Sequence, residues 1–279
     1  MTFHSPAKIN LWLRILGKRE DGFHEVQTRL CQLALGDIVE VEHLGAGSGV
    51  KLTCSEPTVP LDESNLAMKA LRAFEGRTGK TSSWRIHLEK KIPAGAGLGG
   101  GSGNAALVLK ACNELAGAPL SQAELIELGG QIGADVPCFL LDTPAADGAG
   151  RGEQVTPADF PWQLSLVLIK PPFPIPTPWA YKRWAGSQEI PGVLYSPQIC
   201  PWGEMVNDLE RPVFEKYLLL PSLKTWLLDQ PESRAALMSG SGSTMFAVTE
   251  TPAQAGELAA KAREWCGETA WIQTTQTAG

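Results

Sequence analysis

The chain has 279 residues, 43% of them hydrophobic, enough for one large domain or two ordinary ones with their own cores. A formal net charge of −6 and a sequence pI near 5.4 argue against a broad polyanion-binding face, so neither nucleic acid nor a membrane is expected as a partner. The six cysteines (Cys31, Cys54, Cys112, Cys138, Cys200 and Cys266) form no C-x-x-C pair and have no closely spaced histidines beside them, which speaks against structural zinc and for a reduced compartment.

The chain opens on MTFHSPAKINLWL, which lacks the basic start, apolar run and small-residue cleavage site of a secretory leader. No segment approaches the roughly 18 consecutive apolar residues of a membrane span, and a cytoplasmic protein is expected. Lys8 to Leu16 alternates as a strand, and Asp37 to Glu42 repeats the pattern after a turn signal at Gly36-Asp37. From Ser64 to Phe74, Leu66, Ala70, Leu71 and Phe74 share one helical face, with Ser64 or Asn65 as cap. Trp84 to Leu88 reads as a strand running through Lys90-Lys91, where a small anion could be met, into Pro93 and a run of glycines. Asn104 to Leu115 has helical period, and a further helix starts at Ser121, where Glu124 completes a capping pair, and ends near Gly129-Gly130.

The Gly-, Pro- and Asp-rich stretch from Asp142 to Pro161 is read as a boundary between residues 1–155 and 156–279. An apolar strand follows at Leu164 to Lys170. Five prolines between Pro171 and Pro178 predict an extended, stiffened wall. Helices are expected near Leu218 to Leu228 and Ala253 to Trp265, and a strand at Thr244 to Val248.

The central feature is PAGAGLGGGSGNAA, Pro93 to Ala106, a strand-to-helix junction almost without side chains. Glycines bring backbone N–H groups within reach of an oxyanion, and the helix that follows points the positive end of its dipole at the same place. A phosphate chain is the natural occupant. Gly95-x-Gly97-x-x-Gly100 matches the dinucleotide fingerprint, but the helix is followed by a second helix rather than by a strand ending in an acidic residue. Gly79-Lys80-Thr81 ends like a P-loop, yet Phe74 stands where its first glycine is required. A nucleophile elbow fails because Asn104 follows Ser102 at the second glycine position.

Three ordered motifs resemble the GHMP kinases, the superfamily of galactokinase, homoserine kinase, mevalonate kinase and phosphomevalonate kinase. They are Pro6-Ala7-Lys8-Ile9-Asn10-Leu11, the Pro93 to Ala106 loop, and Ser239-Gly240-Ser241-Gly242-Ser243. Four further segments narrow the resemblance to the branch acting on a cytidylyl-linked polyol phosphate: DGFHEVQT from Asp21, GADVPCF from Gly133, IPTPWAY from Ile175, and Asn207-Asp208-Leu209.

The resemblance implies an α+β, two-domain GHMP kinase fold with the active site in the inter-domain cleft. The implied activity is an ATP-dependent transfer of phosphate to an alcohol in non-mevalonate isoprenoid precursor biosynthesis, with Mg2+ bridging phosphate oxygens. It implies Asp135 as the base taking the hydroxyl proton and Lys8 as its cationic partner. ATP would meet Pro93, Ala94, Gly95, Ala96, Gly97, Leu98, Gly99, Gly100, Gly101, Ser102 and Gly103, with Asn65, Leu66 and Lys90 bordering the adenine. Phe23 and Tyr181 would stack on the cytosine, His24 would bond its edge, and Asn10, Gly240 and Ser241 would hold the substrate. Two positions depart from the family pattern: Phe23 replaces a common tyrosine, and Gly103 replaces the second serine of the loop, which removes a hydroxyl expected near the phosphates. Another GHMP-family small-molecule kinase is the near alternative; a dinucleotide-binding oxidoreductase or a non-catalytic nucleotide-binding module is the distant one.

Overall fold

A computed structural model of the chain describes residues 1–45, 47 and 49–278. In chain order the elements of the first half are β1 (Thr2–Lys18), β2 (His24–Gly45), β3 (Val50–Cys54), α1 (Leu66–Thr78), β4 (Ser83–Glu89), α2 (Gly100–Leu115), α3 (Gln122–Ile132), α4 (Val136–Leu140), β5 (Ala145–Ala149) and β6 (Gln154–Pro157). Then follow β7 (Ser165–Lys170), α5 (Thr177–Trp184), β8 (Gln198–Cys200), β9 (Gly203–Asn207), α6 (Glu210–Lys216), α7 (Leu219–Leu228), β10 (Ser233–Met238), β11 (Met245–Thr249), α8 (Pro252–Cys266) and β12 (Trp271–Gln276).

The strands form two sheets. One has eight strands in the order β3-β4-β2-β1-β9-β8, with β5 added on β2 and β6 on β5; the other has the order β10-β11-β7-β12. The architecture is α+β, as the resemblance implies. β8 and β9 lie in the first sheet although they follow the second sheet's first strand, and β9 runs parallel to β1 through Trp12–Val206 and Leu13–Asn207.

Alternation along β1 sends Ala7, Ile9 and Leu11 to one face, where they are buried with Leu33 of β2 and with Leu166, Leu168, Leu237, Phe246 and Val248 of the second sheet. Each large apolar side chain so buried is worth about 1.5–3 kcal/mol. The two sheets therefore cannot part without exposing this shared layer, and the walls between them are fixed. A separate core around Leu71, Phe74, Trp84 and Ile86 packs α1 and α2 on the first sheet, and another around Phe214, Leu223 and Leu258 packs α6, α7 and α8 on the second.

The caps follow the expected chemistry. Asn65 accepts from the Ala67 amide at 2.9 Å to start α1, and Ser121 and Glu124 form the reciprocal pair that starts α3. Several boundaries differ. Gly36-Asp37 is no turn: β2 runs through it, with Gly36 opposite Pro6, and a Cβ at Gly36 would strike the His4 ring and the Ser5 carbonyl. That glycine marks close approach of two strands. Residues Asp142 to Pro161 contain β5 and β6, because β5 finds a free edge on β2. α2 begins at Gly100, ahead of Asn104, and α3 runs on to Ile132. The proline-rich wall ends early, since α5 starts at Thr177 with Pro178 in its first turn, where the missing N–H would have no helical partner.

Candidate functional site

A cleft of about 1050 Å³ opens between the halves. Its lining gathers Lys8, Asn10, Phe23, His24, Gly97, Gly99, Ser102, Asp135, Tyr181, Gly240 and Ser241, all of them expected site residues. The first two share a wall because β1 alternates: with Ala7 and Ile9 turned into the core, Lys8 and Asn10 turn to the opposite face.

The Lys8 ammonium donates to Asn10 Oδ1 at 2.8 Å; Asn10 Nδ2 donates to Thr28 Oγ1 at 2.8 Å, and Thr28 Oγ1 to the Trp12 carbonyl at 2.7 Å. This relay holds the ammonium, almost wholly buried, 3.2 Å from Asp135 Oδ2. Asp135 stands at the N-cap of α4, but its side chain makes no cap hydrogen bond. A plain capping aspartate would satisfy the helix amides. This carboxylate faces Lys8 and the cleft instead.

The glycine loop is pinned from beneath. Ala96 and Leu98 are buried in the layer between the sheets, and the Lys8 amide donates to the Leu98 carbonyl at 2.9 Å. The intervening Gly97 and Gly99 have φ of +76° and +71°. A Cβ at Gly97 would run into the carbonyl oxygens of Ser239 and Gly242, and one at Gly99 would lie 2.8 Å from Lys8 Cγ. Only glycine lets the backbone come this close. Gly99 caps α2 without any side-chain bond to its first amides, so those N–H groups and the helix dipole are directed to the cleft.

The third motif closes over the second. Ser239 Oγ donates to the Gly97 carbonyl at 3.0 Å, the Thr244 amide donates to the Ala96 carbonyl at 3.2 Å, and a Cβ at Gly240 would sit 3.3 Å from Lys8 Nζ. Ser241 Oγ lies 2.7 Å from Thr177 Oγ1. Buried Asn207 donates to the carbonyls of Met238 and Gly240, each at 2.7 Å, which gives the Asn207-Asp208-Leu209 triplet a structural task.

At the other end of the cleft, the His24 ring lies 5.6 Å from Tyr181 and 6.0 Å, edge to face, from Trp184. Phe23 is 54% exposed, with the Arg151 guanidinium 5.0 Å over its ring. Burial, aided by Lys18, pushes the His24 imidazole below its ordinary value, and burial, aided by Asp135, pushes the Tyr181 phenol up. Both are neutral at pH 7. A flat group entering here meets aromatic faces and a neutral imidazole able both to donate and to accept.

Other expected ATP contacts lie outside this lining. Asn65 is occupied as the α1 cap, also donating to Pro60, and Leu66 packs toward Gly101. Lys90 turns inward to Asp37 and Asn104 under the start of α2. Gly103 also faces inward: a Cβ there would point at Ser5 Oγ, 2.8 Å away, and at the Pro6 carbonyl. Its departure from the family pattern thus alters a buried contact and not the phosphate side of the loop. Thr28, Trp184 and Arg151 line the cleft as well; Thr28 closes the DGFHEVQT segment without being singled out there, and Trp184 and Arg151 belong to no motif. Among the described residues, no cluster of three or more His, Cys, Asp or Glu could cage a metal ion, and no helix is long and apolar enough to cross a membrane.

Family models of the GHMP kinases match twice, the N-terminal domain over residues 65–145 and the C-terminal domain over 200–268. A 4-diphosphocytidyl-2-C-methyl-D-erythritol kinase of Methylacidiphilum infernorum is 43% identical over 272 residues, covering 96% of this chain and 94% of that one. Its counterpart in Protochlamydia amoebophila is 42% identical, covering 88% and 83%. A crystal structure of a 4-(cytidine 5'-diphospho)-2C-methyl-D-erythritol kinase superposes with a TM-score of 0.81 at 34% identity over the full length of both chains. A homoserine kinase from Cytophaga hutchinsonii, at 17% identity, TM-score 0.67 and coverage of 100% and 96%, shares the fold.

Proposed function

The chain belongs to the GHMP kinases, within the branch of the 4-diphosphocytidyl-2-C-methyl-D-erythritol kinases, and on that footing we propose that it phosphorylates the 2-hydroxyl of 4-diphosphocytidyl-2-C-methyl-D-erythritol from ATP, in isoprenoid precursor biosynthesis. The observation that carries this reading is one cleft holding a proton acceptor, a cation and a glycine-lined helix start together, with an aromatic pocket at its other end.

In this reading the triphosphate lies along Gly97 to Ser102, against the amides that open α2. The cytosine enters among Phe23, His24 and Tyr181, which sets the acceptor hydroxyl beside Lys8 and Asp135. Asp135 takes the hydroxyl proton as the oxygen forms its bond to the γ-phosphorus; the bond to the β,γ-bridging oxygen breaks, and ADP leaves. Lys8, aimed by Asn10 and Thr28, offsets the charge on the transferred oxygens. With no cluster of metal ligands among the described residues, a magnesium ion would be held mainly by the phosphates, with the Asp135 carboxylate and the Ser102 hydroxyl in the cleft lining able to face it, and such an ion would neutralise phosphate charge. The boundary expected at 155/156 falls inside β6, whose Val155 and Thr156 pair with Gly148 and Asp147 of β5, so we place it after Pro157, ahead of β7, and the protein in the cytoplasm.

The test is substrate choice. ADP release with ATP and magnesium should depend on the cytidylyl substrate and be absent with mevalonate or homoserine; release with either of these instead would move the protein to another branch of the family.

A further inference from the structure

Asp37 has no atom in the cleft, yet its carboxylate gathers both ends of the glycine loop. It is fully buried in β2. Its Oδ1 accepts from the backbone amides of Lys91 at 2.7 Å and Ile92 at 2.9 Å, the residues that lead into the loop. Its Oδ2 accepts from Asn104 Nδ2 at 3.1 Å, on α2 just past the last loop glycine, Gly103, and from the Lys90 ammonium. The bracket closes on itself, because Lys90 Nζ also donates to Asn104 Oδ1 at 2.9 Å and Asn104 Nδ2 to Ser5 Oγ at 2.9 Å.

Between these anchors lies a segment whose glycines, free in the unfolded or loosened chain, sample far more backbone conformations than other residues. A loop that must be ordered by its ligand binds weakly, and one ordered beforehand binds tightly. We propose that Asp37 is a positioning residue that preorganises the phosphate loop and thereby sets the affinity for ATP, without touching ATP and without a part in substrate binding. This rests on the reading of the loop as the ATP site.

The test is Asp37→Asn, which keeps the side-chain shape and removes the charge that collects these donors. The KM for ATP, and the ATP dissociation constant measured by calorimetry, should rise about tenfold, while the KM for the cytidylyl substrate and kcat at saturating ATP stay within about twofold. A general loss of structure would move all of these together. If Asp37→Asn does not fold, because Lys90 is left buried beside a neutral group, Asn104→Ala decides the matter. It removes the exit anchor, with its bonds to Lys90 and Ser5, while Asp37 keeps the Lys91 and Ile92 amides, and it should raise the ATP constants about threefold with the substrate KM flat. Unchanged ATP constants in a folded variant, or equal changes for both substrates, overturn the proposal. A parent protein that binds no ATP sinks the ATP reading itself, whereas a parent and variant that bind ATP equally sink only the role of Asp37.

Discussion

Lys8 and Asp135 meet at 3.2 Å from opposite walls of the cleft, one on β1 and the other at the start of α4. Lys8 is aimed by Asn10, its neighbour on β1, which Thr28 of β2 holds in turn, and Asp135 forgoes the helix cap. Lys8→Met and Asp135→Asn should each lower kcat by about 10²–10⁴ while leaving the KM for ATP within a few-fold. The double variant should be little worse than the poorer single one, since the two act as a unit. Steady-state kinetics of the three variants measures this, and fully additive losses would argue against the pairing.

The glycines differ in what surrounds them. Gly97→Ala puts a methyl group against backbone carbonyls that cannot swing aside, at φ +76°. A left-handed alanine alone is unfavourable by about 1–2 kcal/mol, and the clash adds to it. Gly103→Ala meets mainly the Ser5 hydroxyl, which can rotate at the expense of its bond from Asn104. Thermal denaturation and ATP titration should show Gly97→Ala losing both stability and ATP binding, and Gly103→Ala losing about 1 kcal/mol of stability or less.

His24 gives the site a pH dependence whose sign is set by its surroundings. Burial and Lys18 lower its folded value below 6.5, so the folded state binds fewer protons there than the unfolded one. The stability it contributes is present above pH 6.5 and is lost as pH falls through the folded value. The KM for the cytidylyl substrate should rise over the same acid window, and His24→Gln should flatten that rise without changing the KM for ATP. A parent profile matching that of the variant would remove His24 from recognition.

Behind the third motif, Glu210 and Lys224 form a buried pair, and Glu210 also accepts from the Met238 amide at the end of β10. Burial pushes the Glu210 carboxyl up, and Lys224 draws it back. Lys224→Met leaves that carboxyl uncompensated and should destabilise the fold by about 3–5 kcal/mol in a denaturant titration. The double variant Glu210→Leu/Lys224→Met should recover much of the loss.

Features that depend on neighbours in the chain are legible in the sequence itself: the alternation of KINLWL, the Ser121–Glu124 cap, and the glycine loop at a helix start. The hidden parts depend on partners far away in sequence. Gly36 resembles a turn until Pro6 lies opposite it, and β9 gains meaning only as the strand beside β1, with β8 on its outer edge. Asp37 reads as a turn residue that opens a strand, because its donors come from residues 90–104 and belong to no motif of its own. In the cleft, Lys8 and Asp135 are legible through the ordered motifs, whereas Arg151 and Trp184 become visible only once the walls are folded together.

The account turns on Asp135 taking the proton of a hydroxyl set before the glycine loop. Single-turnover transfer of phosphate from ATP to 4-diphosphocytidyl-2-C-methyl-D-erythritol, followed by phosphorus NMR in the parent and in Asp135→Asn, tests it directly. The parent should place one new phosphate on the 2-hydroxyl, and Asp135→Asn should bind both substrates with unchanged affinity yet transfer at least about a hundredfold more slowly. Transfer by Asp135→Asn at the parental rate would contradict the account.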